Sequence, residues 1–300
     1  MSTKMIIIVG LKFITLAIIM FFCFTIASVV SGVSEAEPAP SDAGASMLAL
    51  LLVSLLVTAV FTYIILRSRW SGWKLVGTIF IAFYGLMTVV TQIESFVYLT
   101  HQLPPGMVQK FFLMGAIVAL LYSPLAVLIL GKMKRELTTQ ARNLRLVMPP
   151  VEWVWKMAAI AAAYVILYFT FGYFVAWKNP EVQAYYGGTD PGSFFAQMSG
   201  IWATMPWMFP FQVFRAMLWT AFVLPVIRMH RGRQWEVGMS VALLFAVWSS
   251  MLLLPNPYMP EAVRMTHLVE TVSSNFIFGW LVGWLLNRHH SSLRVLFQWS

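Results

Sequence analysis

Arg264, His267, Glu270 and Ser274 follow one another at intervals of three, three and four residues. That spacing lines side chains along one face of an α-helix, with Asn275 beside the stripe. A guanidinium, an imidazole, a carboxylate and an amide on one face can hold an anionic or amphiphilic solute through charge-assisted hydrogen bonds, or move protons. Two further residues belong with them. Glu94, with Gln92, Ser95 and His101 close by, ends one apolar run, and Arg215 lies inside another. Arg215 precedes Arg228 by thirteen positions, which places it about 20 Å along a helix from the basic end of its run. A guanidinium at that depth cannot be neutralised and needs a carboxylate, a carbonyl or water. Glu94 and Glu270 are the expected partners.

These residues support more than one chemistry. In the first reading Glu94, Arg215, Arg264, His267, Glu270 and Asn275 line an outward-facing polar pocket that binds or translocates a small or amphiphilic solute, with Arg264 or Lys110 assisting Arg215 on an anionic group. In the second, a membrane-embedded hydrolase or lipid-modifying enzyme uses Glu94, His267 and Glu270 as acid and base, or as a metal site. The sequence has no His-Glu-x-x-His, no Gly-x-Ser-x-Gly and no phosphate-binding glycine loop, so neither a metal nor any other cofactor is specified. A third reading makes the charges structural, as ion pairs or snorkelling side chains at headgroup depth, in an assembly subunit whose Tyr185-Tyr186-Gly187-Gly188 loop meets a partner.

The elements that position these residues are set by composition. Of 300 residues, 60% are hydrophobic and 10% charged, and the mean hydropathy is +0.77. A water-soluble chain of this size needs far more charge to cover its surface, so the solvent is a lipid bilayer. The net charge of +9 does not indicate nucleic acid, because the cations sit in short clusters between apolar runs. A single cysteine, Cys23, excludes an intramolecular disulfide framework.

Crossing the roughly 30 Å hydrocarbon core takes about 20 residues of helix. Eight runs suffice: about 5–30, 46–66, 73–99, 107–130, 153–177, 209–227, 237–254 and 261–286. The fold class expected is therefore an all-α polytopic bundle forming one integral membrane domain. Ser193 to Met205 is apolar but is cut off by Pro206 and Pro210, so it is read as a short interfacial or re-entrant helix. The stretch Asn179 to Gly192, rich in turn formers, is read as an ordered non-helical loop.

Orientation follows from the cations. Lys4 and Lys12, then Arg67, Arg69 and Lys74, then Lys132, Lys134, Arg135, Arg142, Arg145 and Lys156, then Arg228, Arg231 and Arg233, and finally Arg288 and Arg294 fall on one face, 16 of the 20 Lys and Arg. The positive-inside rule makes that face cytoplasmic and puts both termini there, in the cell membrane. His289 and His290 are read as solvated at the same face. Residues 1–36 also have the shape of a cleavable signal ending in Ser34-Glu35-Ala36, but the apolar stretch is longer than the usual 7 to 15 residues of a signal core and favours a retained anchor. Gly279-x-x-x-Gly283 marks a close-packing face.

Overall fold

A computed structural model describes residues 3–36, 42–99, 101–134 and 145–290. Arg135, Arg142, Leu144, Arg294 and Glu37 lie outside the described residues, as does the side chain of Lys4. The chain is 80% helical, with no strand among the described residues. Among the described residues eight helices are long and apolar enough to cross a membrane: Ile7–Val30, Ala43–Leu66, Gly72–Tyr98, Met107–Ile129, Pro150–Ala176, Met208–Met229, Gln234–Leu253 and Glu261–Leu286. They are called spans one to eight. The protein is thus an all-α, multi-pass membrane protein, and the spans fall within a few residues of the expected runs.

The chain divides into two compact units, Met1–Leu137 with Val247–Leu268, and Thr138–Ala246 with Val269–Ser300. In the first unit, span one packs against spans two and four and fully buries Leu16, Met20 and Ala27. Phe61 of span two, Phe83 of span three and Tyr122 of span four form an aromatic core, with ring centroids 5.0 and 6.1 Å apart. The Tyr122 hydroxyl donates to Thr58 Oγ1 at 3.4 Å, which answers its polar end inside an apolar core. Span three contains a π-helical turn, Gly85–Val89, whose Thr88 side chain fills the space left by Gly115 of span four; a Cβ on Gly115 would lie 2.0 Å from Thr88 Oγ1.

Helix ends are closed by local chemistry. Asp42 caps span two by accepting the Ala45 N–H at 2.9 Å. Span four stops at Gly131, which takes the left-handed conformation (φ +78°). The Gly131 and Lys132 amides then return to the Leu128 and Val127 carbonyls, the Schellman arrangement that favours glycine. Pro124 and Pro225 are both held within continuous helices.

In the second unit, Tyr164, Trp219, Phe245 and Phe278 come from spans five, six, seven and eight. They pack in the sequence Trp219, Phe245, Phe278, Tyr164, with centroids 4.7, 5.5 and 4.7 Å apart. Spans seven and eight approach through their backbones. A Cβ on Gly279 would lie 2.7 Å from Ala242 Cα, and one on Gly283 would lie 2.8 Å from Gly238 Cα, so the expected small-residue face is the contact itself.

The stretch expected to be a non-helical loop is ordered but partly helical. Pro180–Tyr185 forms a short helix capped by Asn179, which accepts the Glu181 N–H. Proline at the first helical position suits a helix start, a signal outweighed in the sequence by the turn formers that follow. The loop is tied down by Trp177 Nε1 donating to Thr189 O and by the Tyr173 hydroxyl donating to Gly192 O. The short apolar segment is the helix Phe194–Thr204, capped by Ser193 and burying no residue fully.

Replacing Gly279 with Leu is expected to destabilise the protein by about 1–3 kcal/mol through overpacking. Gly10→Ala, where an added Cβ meets nothing within 4 Å, is expected to leave it unchanged. Thermal melting of both variants in one detergent checks the pair.

Candidate functional site

The site is built on span six. Met208, Gln212, Arg215, Trp219, Val223 and Val226 are all buried, at the three- and four-residue intervals of one helix face. Arg215 lies on that face and is 2% exposed. Its Nη1 donates to Gln212 Oε1 at 3.0 Å, a pairing of residues three apart on the same helix. The guanidinium carbon lies 5.8 Å from the Tyr164 ring, 5.9 Å from Tyr168 and 6.0 Å from Phe211. A planar, weakly hydrated cation suits such faces better than an ammonium would, and each such contact contributes about 0.5–2 kcal/mol.

Span five supplies both tyrosines, four residues apart, and the same spacing continues to Gly172. There the helix widens into a π-helical turn, Gly172–Ala176, in which the Trp177 amide returns to the Gly172 carbonyl at 2.7 Å. A Cβ on Gly172 would lie 3.7 Å from Glu270 Oε1, so the carboxylate of span eight faces this turn. Tyr168, which meets the guanidinium, and Gly172, which meets the carboxylate, differ by one helical turn, about 6 Å of rise. Asn275, also on span eight, is buried. The second unit therefore brings a cation, an amide, two phenols and a carboxylate to successive turns of one helix, beside an element type that recurs at functional sites.

The remaining expected residues, Glu94, Arg264 and His267, belong to the first unit. Glu94 and His267 are half-buried. Arg264 serves the backbone, because its Nη1 donates to the Leu252 and Leu254 carbonyls at 2.7 and 2.8 Å. These carbonyls end the 3₁₀ segment Trp248–Leu253, where intrahelical partners run out. Lys110 likewise donates to the Gly32 carbonyl at 2.9 Å. Both cations that the sequence offers as helpers for Arg215 thus donate to backbone carbonyls at helix ends and turns. Among the described residues no group of three or more His, Cys, Asp or Glu side chains is placed to hold a metal ion.

Sequence reasoning passes over Gln212, Tyr164, Tyr168 and Phe211, although the interval from Gln212 to Arg215 is visible in it. It also passes over Glu152 and Lys156, an i, i+4 pair at the start of span five with Nζ to Oε1 at 2.6 Å. The expectation that His290 is solvated is corrected: its ring is buried, whereas His289 is exposed as expected. Aromatic residues flanking the pair, Trp155 and Trp284, cover the His290 ring with centroids 6.2 and 5.7 Å away. Comparison of the chain with protein-family models, with curated proteins and with solved structures gives no match.

Substituting Arg264 with Met is expected to lower stability by about 1.5–3 kcal/mol, the range for hydrogen bonds from a charged donor. The same change at Arg288, whose side chain is exposed and whose backbone carbonyl accepts from Lys156, is expected to cost much less. Melting temperatures of the two variants make the comparison.

Proposed function

We propose that this multi-pass membrane protein binds or translocates a small or amphiphilic solute bearing an anionic group, with Arg215 as its principal ligand. Gln212 orients the guanidinium, Glu270 balances its charge, and Asn275 supplies a further polar contact. All four residues belong to the second unit. The observation that carries this reading is the burial of Arg215 within a membrane span, among aromatic rings and an amide and one turn from a carboxylate at a π-helical turn. A permanently charged side chain at such depth is expensive and in membrane proteins marks binding sites and pathways.

The protein is further proposed to reside in the cell membrane with both termini cytoplasmic and span one retained. Support comes from the 16 of 20 Lys and Arg that the sequence clusters at alternate ends of its apolar runs and from the full burial of Leu16, Met20 and Ala27, a packing role that a cleaved signal would not serve.

The test uses protein extracted directly into lipid nanodiscs and native mass spectrometry of what remains bound. Wild type is expected to retain an anionic small molecule or amphiphile, and Arg215→Gln to retain about tenfold less, the equivalent of one lost charge-assisted contact. Melting temperature shows that the variant is folded. If Arg215→Met combined with Glu270→Leu restores the wild-type melting temperature and the bound species is unchanged in both variants, Arg215 is a structural charge and the reading fails.

A further inference from the structure

We propose that Glu152, Lys156, His289 and His290 form a proton-operated latch, which ties the segment following span eight to the start of span five and opens on acidification. All four residues lie in the second unit, at the ends of spans five and eight that the basic loops flank, and none takes part in the site around Arg215.

The latch has several separate ties. Lys156 is 0% exposed and Glu152 is 4% exposed, and their side chains meet at 2.6 Å. Glu152 Oε1 also accepts the backbone N–H of His290 at 2.8 Å, and its Oε2 pairs with His289 Nδ1. Lys156 Nζ donates to the Arg288 carbonyl at 2.5 Å, a group just past the end of span eight where intrahelical donors run out. One acid and one base on a single turn of span five thus bind three consecutive residues, Arg288, His289 and His290. Removing either partner would leave the other buried without the ion pair between them.

His290 makes the arrangement sensitive to protons. Its ring is held between Trp155 and Trp284, and its buried Nδ1 meets no hydrogen-bond partner among the described residues. A neutral imidazole fits this site, whereas an imidazolium would place an unanswered N–H and a charge in an apolar wall. The charged groups around it are Lys156 and Glu152 on span five, and Arg288 and His289 on its own segment. Burial, followed by the Lys156 charge, holds the His290 pKa below its ordinary 6.5, against the opposing pull of Glu152.

The direction follows by linkage. His290 binds fewer protons in the latched state than in the open state between the lowered pKa and 6.5, so its contribution to latching is full above 6.5 and falls as pH drops through that window. Within it the latched-to-open ratio changes by at most about tenfold per pH unit for one proton. A charge on His289 would tighten its pair with Glu152, but that imidazole is 61% exposed and such pairs are worth little. Neither the proposed solute nor Arg215 takes part in the latch, so the latch stands or falls on its own.

The test places spin labels on Val151→Cys and Arg288→Cys in a Cys23→Ser background, in nanodiscs of phosphatidylcholine. Both labelled positions are exposed. The distance distribution is expected to be narrow at pH 8 and broad at pH 5. Glu152→Gln is expected to broaden it at both values. His290→Phe, which keeps a ring between the two indoles but cannot titrate, is expected to keep it narrow at pH 5, and His290→Gln provides a second non-titrating variant should Phe prevent folding. A wild-type distribution unchanged between pH 8 and pH 5 overturns the proposal, as does a full transition surviving in whichever non-titrating variant folds.

Discussion

Hydrocarbon offers no hydrogen-bond partner, so every polar group placed in it must be answered from within the chain. Much of this structure follows from that constraint. Hydroxyls in the spans turn back on their own helix, as in Ser54 to Leu50 O, Thr78 to Lys74 O, Ser123 to Ala119 O and Thr220 to Ala216 O. Where a helix tightens and frees carbonyls, as at Leu252 and Leu254, a guanidinium from the next span is brought to them. Where a phenol is fully buried, as at Tyr122, a threonine stands opposite it. Polar residues are few in this chain, and several of those in the spans answer a backbone group.

The same solvent removes the usual reason for helices to associate. Lipid tails solvate leucine as well as another helix does, so contact between spans depends on shape and close approach. The two units meet that demand differently. In the first, the π-helical turn at Gly85–Val89 presents Thr88 to the gap at Gly115. In the second, Gly279 and Gly283 bring span eight against the backbone of span seven, while four aromatic rings from four spans fill the interior. Neither device would serve alone, because glycine contacts leave room that only large, rigid side chains can occupy.

The spans are legible in the sequence because the bilayer fixes their length, and apolar runs of that length have no other common use. The place of Arg215 within a span is legible for the same reason, since counting back from Arg228 needs only helical rise. Its surroundings are not. Tyr164 and Tyr168 look like ordinary span residues until the packing of span five against span six is known. Arg264 falls on a polar stripe, yet its neighbours are set by a 3₁₀ segment that hydropathy does not distinguish from an α-helix. The short helix Pro180–Tyr185 is hidden among turn formers. His290 looks solvated because it lies past the last apolar residue, and only its contacts with Trp155, Trp284 and Glu152 show that the chain folds back there.

Arg215 and Lys156, both buried cations of the second unit, illustrate how side-chain chemistry divides the work. An arginine remains charged whatever its surroundings, so a fixed charge at depth must be arginine, and the chain surrounds it with rings and an amide that tolerate permanent charge. A lysine can lose its proton when desolvated, and Lys156 keeps a carboxylate on one side and a backbone carbonyl on the other, both of which answer an ammonium. The imidazole beside that pair can take up a proton, whereas the guanidinium of Arg215, among its amide and rings, keeps its charge. A site that holds a solute gains from a charge that pH does not alter, and a closure that responds to its surroundings needs one that pH does alter. Span five carries both along one ridge, since Glu152, Lys156, Ile160 and Tyr164 are all buried at four-residue intervals. That ridge runs from the titratable end toward the ring that faces Arg215.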